Sequence, residues 1–408
     1  MSSSAAQPPA KPTSRWRALV ARWLKRVLGL VVLLAAGKFV WVEVCRTRAS
    51  ELSDGRALPD LHARERYLVR RVLSPTFATD DTGLPDHGQF AGEWKLVTLS
   101  MTASSIVNIA LEDRSGLAAA RATMRRIIER MLQPELRVFD KAQWGGEDAL
   151  ESLGGPHGHV GFLGHLAFAL AANGVIGGDA RWDGLRERVV DALARRMSAA
   201  CPYIETYPGE TYTADNAVAF AAIAVHDLVA HTDHRALLER AVTYTSDRLL
   251  DRVTGLVVFG VDARCAPHGG ARGSGVGWNS FYWPFVDETF ATEQYVRAKR
   301  FLIAGYPLGF GGVLEHPGGQ TASAGDVDSG PLVLGVSPAA TGFFIAGARQ
   351  AGDGETADRL LHTAELFGST FQWNGERRYL LSPLVGDAIV LAMKSARSWS
   401  DAPAAPSP

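Results

Sequence analysis

The chain has 408 residues, 47% hydrophobic and 21% charged, enough for two average domains or for one large toroid or barrel. A net charge of −1, with no basic excess and no acidic tail, argues against nucleic acid as the main partner. The three cysteines, Cys45, Cys201 and Cys265, show neither a CxxC pair nor a Cys/His spacing suited to zinc. A Cys201–Cys265 disulfide in an exported domain and two separate buried thiols both fit that count.

In chain order, residues 1–14 are rich in Ser, Ala, Pro and Gln and are expected to be a disordered tail, as are residues 399–408. Residues 15–50 hold the basic cluster Arg15, Arg17, Arg22, Lys25 and Arg26, followed by an apolar run from Val27 to Gly37 that resumes after Lys38. The first reading is a single membrane-spanning anchor, because a bilayer core needs ~20 mostly apolar residues and Lys38 can snorkel. A cleaved signal peptide and an amphipathic surface helix are the alternatives. No A-x-A cleavage site follows, which favours the anchor. The basic side should stay cytoplasmic, so the large domain is expected to be extracytoplasmic.

From Leu58 onward the hydrophobic period is helical. The pattern predicts helices over 60–74, 90–111, 116–132, 159–173, 182–199, 213–230, 234–250, 284–303, 336–351, 355–370 and 384–396. Some, such as "AVAFAAIAVHDLVA", are apolar nearly all round and should be buried; others, such as "WDGLRERVVDALARRMSA", carry one apolar stripe and one charged face. Buried and striped helices in alternation describe an all-α (α/α)6 toroid of helical hairpins over residues 58–398. The long loops 140–158, 200–213, 254–283 and 306–336 would open at one end of it. "GLVVFGVD" at 255–262 is expected to add a small β-hairpin. An open helical solenoid is the alternative, and it would leave those loops unconverged.

The candidate chemistry lies in these loops. "YIETYPGETYTADN" gathers Glu205, Tyr207, Glu210 and Asp215 at the mouth of an inner helix, with Thr213 as its N-cap. In "SAGDVDSGP", Asp326 and Asp328 point to one side of an extended segment; two such acids repel, so one pKa should rise and suit a general acid. An Asx-type turn or a cation site is the plainer reading of that pair. "RGSGVGWNSFYW" offers Arg272 for a carboxylate, and Trp278, Asn279 and Tyr282 as a wall for a hydroxylated ligand or as filling between helices. His159 stands at the start of an inner helix, with Glu147 in the loop before it, and His165 reads as a core histidine. No GxSxG, HExxH or Walker loop is present, so nothing in the sequence asks for a metal or another cofactor.

The segments "GHVGFLGHLAFAL", "YTADNAVAFAAIAVHDL", "RGSGVGWNSFYWPFVDETFATEQY" and "GDVDSGPLVLGVSPAATGFFIAGARQAGD" together resemble the linalool dehydratase/isomerase-like (α/α)6-barrel family over residues 85–395. Such barrels are more distantly similar to six-hairpin glycosidases and polysaccharide lyases. The resemblance implies a cavity enzyme eliminating or isomerising a hydroxylated substrate. The family's pair of cysteines falls in the segment matching Thr206 to Asp215. That segment has no cysteine here, and Asp215 stands at one of those positions, which implies a carboxylate acid/base mechanism in the same cavity.

The sequence therefore leads to a membrane-anchored acid/base enzyme in which Asp215, Glu205, Asp326 and Asp328 are the catalytic candidates. Tyr207, His159, Arg272, Trp278, Asn279 and Tyr282 are the substrate-binding candidates. The expected partner is a small-molecule or glycan substrate. A glycoside hydrolase or lyase and a non-catalytic ligand-binding toroid are the alternatives.

Overall fold

The structure, a computed structural model, describes residues 14–79, 89–319 and 324–400. It divides into two compact units, the first ending at Arg46 and the second beginning at Thr47. The first is one helix, α1 (Ser14–Cys45), of 32 residues. At 1.5 Å per residue it spans about 48 Å, against a hydrocarbon core of about 30 Å. Its most apolar window has a mean hydropathy of 2.1 and is almost wholly exposed, with Trp16, Trp23, Leu28 and Leu33 uncovered. It is long and apolar enough to cross a membrane. Two helices of the second unit also qualify by length and composition, but their windows are 89% and 61% buried, so packing accounts for their apolarity.

The second unit begins with the short helix α2 (Ala49–Ser53) and then α3 (Leu58–Val72), α4 (Gln89–Glu112), α5 (Leu117–Met131), α6 (Val138–Gln143), α7 (Val160–Val175), α8 (Asp183–Met197), α9 (Thr213–Ala230), α10 (Arg235–Arg248), α11 (Gly273–Tyr282), α12 (Glu288–Phe301), α13 (Pro338–Gln350), α14 (Gly354–Gly368) and α15 (Leu384–Ser395). Helix α4 packs on α7, α7 on α9, α9 on α11, α11 on α13, α13 on α15, and α15 returns to α4. That closed circuit is the inner ring. The outer helices lie against it: α3 on α4 and α15, α5 on α4 and α7, α8 on α7 and α9, α10 on α9, α12 on α11, and α14 on α13. The fold is an (α/α)6 toroid, and the open solenoid is excluded by the α15–α4 contact. In α7, fifteen of the sixteen residues are buried, whereas α5 buries only Ala120, Met124, Ile127, Ile128 and Met131 on one face. The contrast follows from the apolar and striped patterns of the two helices.

Outer and inner helices alternate along the chain, so the connections that enter the inner helices gather at one end of the ring. Helix α11 is the one inner helix not expected from the sequence, which placed a loop over 254–283. Its glycines hid it, since glycine disfavours a helix interior. They are there because the helix is crowded: a Cβ on Gly273 would lie 2.2 Å from the Leu314 carbonyl oxygen, and one on Gly277 would lie 2.9 Å from Phe343 of α13.

Two further expectations are corrected. The hairpin at 255–262 is instead a strand, Gly260–Val261, paired with Thr211–Tyr212 on one side and Pro267–His268 on the other. The domain boundaries shift: Ala49 and Leu52 belong to the toroid core, and so does Trp399, whose Nε1 donates to Asn108 Oδ1 at 2.7 Å. The expected tails otherwise fall mostly outside the described residues. Cys201 and Cys265 form a disulfide, with Cα atoms 6.1 Å apart, that ties the approach to α9 to the loop before α11.

Candidate active site

The end of the ring where the inner helices begin carries the titratable groups. Asp215 lies in the first turn of α9. The helix is not capped by Thr213, whose hydroxyl instead donates to the Val258 carbonyl at 2.7 Å. Asn216 holds the loop above it, accepting from the Ile204 amide at 2.9 Å and donating to the Ile204 and Tyr212 carbonyls. That stitch fixes Thr206, whose hydroxyl donates to Asp215 Oδ2 at 2.8 Å. The next residue, Tyr207, donates to Glu93 Oε2 at 2.8 Å. Adjacent residues of one loop thus hold two carboxylates from two inner helices, α9 and α4.

Glu93 was not among the sequence candidates. Glu93 stands near the start of the helix expected over 90–111. The signal was available: an acid near the start of a buried inner helix is the same feature that singled out Asp215.

Three carboxyls at this end are raised above their ordinary range. Burial, and then the neighbouring Asp215 carboxylate, push Glu93 up to about 8 despite the Tyr207 hydrogen bond. Burial raises Asp215 to about 6, opposed by the Thr206 hydrogen bond. Burial and the like charges of Asp326 and Asp215 raise Asp328 to about 7 against the pull of Arg272. Asp328 still leaves 38% of its side chain open, so it stands at the rim, while Glu93 and Asp215 are half-buried. No cation is among the groups that act most strongly on Glu93 or Asp215.

Asp326 is a different case. The Arg272 guanidinium binds both of its carboxylate oxygens, at 2.9 and 2.7 Å, and its Oδ1 also accepts from the Asp328 and Ser329 amides. Its pKa is lowered by the Ser329 amide and by Arg272, against the effect of burial. The pairing with Arg272 favours the ionised form, so Asp326 is better placed to hold the Asp328 amide than to donate a proton. Arg272 is itself held through Nε by Glu315, 2.7 Å away, which also accepts from the Ser274 amide and hydroxyl. Glu205 accepts from the Gly209 amide at 3.0 Å and closes its own turn; it is not brought to Glu93 and Asp215 by any contact among the described residues.

The aromatic candidates lie deeper than expected. Trp278, Asn279 and Tyr282 are on α11, at most 6% exposed, and form a floor and not a loop wall. Trp278 meets His165 of α7 at 5.6 Å and Phe343 of α13 at 5.1 Å between ring centres, so it reaches across the ring. His165 accepts or donates a hydrogen bond with Ser100, and burial lowers its pKa to about 3. Trp278 Nε1 and both amide atoms of Asn279 have no partner among the described residues, although each is buried. The half-exposed walls nearer the rim are Tyr212 and Phe259, whose rings lie 5.2 Å apart.

His159 is fully buried at the start of α7, with Nδ1 2.7 Å from Asp140 Oδ2. Beside it Glu147 and His157 complete a cluster of potential ligand atoms, all within 4.8 Å of one another. A cavity of about 760 Å³ lies at the opposite end of the ring, among Leu228, Pro284, Tyr295, Arg349 and Trp399. It holds none of the acids described above.

No family profile matches the chain, and no curated protein does. Among solved structures, the chain is similar to an inactive variant of an α-1,6-mannanase of Salegentibacter sp. HEL1_6 in complex with α-1,6-mannotetrose. The identity is 12%, the match covers 83% of this chain and 99% of that one, and the TM-score is 0.48. It is also similar to the unsaturated glucuronyl hydrolase of Bacillus sp. GL1, at 13% identity, 84% and 95% coverage and a TM-score of 0.49.

Proposed function

We propose that the chain is a membrane-anchored acid/base hydrolase of a glycan, with Glu93 as proton donor and Asp215 as base. The observation that carries the reading is the convergence of Glu93, Asp215 and Asp328 at one end of the ring with a shared loop holding the first two. The two distant structural likenesses do not bear on it. At neutral pH a carboxyl near 8 is mostly protonated and one near 6 mostly ionised, so the pair is divided into an acid and a base without further adjustment. Glu93 gives its proton to the leaving glycosidic oxygen. Asp215 takes a proton from the water whose oxygen bonds to the anomeric carbon as the C–O bond breaks. Proton exchange with solvent then resets both. Tyr212 and Phe259 offer ring faces to the apolar side of a sugar, and Asn279 offers an amide to its hydroxyls.

Helix α1 anchors the domain. The Cys201–Cys265 bridge suits an oxidising, extracytoplasmic compartment, as does the basic flank of α1. A second reading, elimination of water from a small alcohol by the same acids, is favoured by the closed aromatic floor of Trp278, Tyr282 and Phe343. It would keep the chemistry of the linalool dehydratase/isomerase-like family without that family's cysteines.

The test uses the full chain in detergent with a panel of α- and β-linked oligosaccharides, reading new reducing ends. Turnover is expected, and Glu93→Gln and Asp215→Asn should each lower kcat by at least about 10²-fold with melting unchanged. Release of an alkene from a tertiary alcohol, with no oligosaccharide cleaved, would favour the second reading. Full activity in both variants would refute acid/base catalysis at this end of the ring.

A further inference from the structure

The cluster before α7 does not belong to the acid pair, and its construction points to a ligand of its own. His159 is held tightly on one side, with Nδ1 2.7 Å from the buried Asp140 carboxylate, and loosely on the other, with Nε2 3.5 Å from Glu147 Oε1. His157 comes from the other side, with Nδ1 2.8 Å from Glu147 Oε2. Both imidazoles rest against Trp144, with ring centres 5.1 Å away for His157 and 4.4 Å for His159. Two imidazoles and one carboxylate thus converge, and a fourth residue outside the set orients one imidazole.

We propose that Glu147, His157 and His159 bind one divalent transition-metal ion, with zinc the best fit. Two histidines and a glutamate are a recognised three-ligand set for zinc that leaves a fourth position to water or substrate. The Asp140 carboxylate supplies the outer hydrogen bond that metal-bound histidines usually make, and it fixes which nitrogen faces the ion. Tetrahedral bonds of about 2.0–2.1 Å place ligand atoms about 3.3 Å apart. The carboxylate reaches the two imidazoles through different oxygens, Oε2 to His157 at 2.8 Å and Oε1 to His159 at 3.5 Å, and one ligand atom from each of the three residues lies within 4.8 Å of the others. His157 is 49% exposed and Glu147 30%, so both can make the small adjustment while the buried His159 stays fixed. Two of the three ligands are imidazoles, which suit zinc and its neighbours and select against magnesium and calcium, ions that take oxygen ligands. The bound ion would pin the loop of residues 144–159 to the start of α7.

Chelator-stripped full chain in detergent is titrated with Co²⁺ and then Zn²⁺. One Co²⁺ per chain is expected, with the visible absorption of a four-coordinate site, displaced by Zn²⁺. His157→Ala removes an exposed ring and should leave melting of the metal-free chain unchanged while weakening binding at least tenfold. Glu147→Gln should do the same, and Asp140→Asn should weaken it about 10–100-fold without removing a ligand. Absence of a stoichiometric site, or an affinity unmoved by both His157→Ala and Glu147→Gln, overturns the proposal.

Discussion

Two clusters of buried carboxylates sit in this toroid, and they behave in opposite ways. At the seam where the ring closes, Asp60 of α3 and Glu365 of α14 are enclosed with Arg64, Arg377 and Lys394. Lys394 Nζ lies 2.6 Å from Asp60 and 3.2 Å from Glu365; Arg64 binds the same two acids, and Arg377 binds Asp60 at 2.7 Å. Against the cost of burial, these cations hold Asp60 well below the usual carboxylate range and lower Glu365 too. At the rim, Glu93, Asp215 and Asp328 are raised instead. Burial is common to both clusters, so the difference lies in the cations. Asp387 makes the point within the seam itself. It accepts from the Tyr379 amide and has no side-chain cation in contact among the described residues, and burial pushes it up to about 7 against the more distant pull of Arg64 and Arg378. The seam holds its acids with cations in contact, whereas at the rim Arg272 is engaged mainly by Asp326 and Glu315, and no cation is among the strongest influences on Glu93 and Asp215.

The largest expected effect tests the seam. Lys394→Met should destabilise the toroid by about 3–5 kcal/mol, because it leaves two buried acids short of a partner. Chemical denaturation measures it, and a loss near zero would mean that the seam is not a structural lock. Catalytic variants at the rim should show no such loss.

A smaller effect sharpens the contrast through pH. Glu93 has a folded pKa above its unfolded value, so the folded state binds the extra proton between the ordinary glutamate range and about 8. Stability therefore falls as pH rises through that window. Asp60 and Glu365 have depressed folded values, so their contribution is present above the unfolded pKa and is lost as pH falls toward the folded one. Melting curves across pH should show both limbs. Glu93→Gln should flatten the decline on the alkaline side and leave the acid limb unchanged.

The ring was legible because inner and outer helices differ in pattern, and that difference is local in sequence. Helix α11 was not legible, since its glycines answer to Leu314 and Phe343, which lie outside its own segment. The rim was half legible. Asp215 and the Asp326–Asp328 pair stood out as acids beside turns and helix starts, but which of the pair is bound tightly depends on Arg272, more than fifty residues away in sequence. Glu93 was readable by the rule applied to Asp215 and was overlooked. The seam was invisible, because Asp60 and Lys394 are 334 residues apart and no local pattern joins them.

The central claim is that Glu93 is kept protonated near neutrality. The direct measurement is a carboxyl titration of the full chain by ¹³C NMR with labelled glutamate, on the wild type and on Glu93→Gln. One glutamate carboxyl should titrate near 8 and be missing from the variant. If every glutamate titrates in the ordinary range, or if the high titration survives in Glu93→Gln, the division of the rim into an acid and a base is wrong.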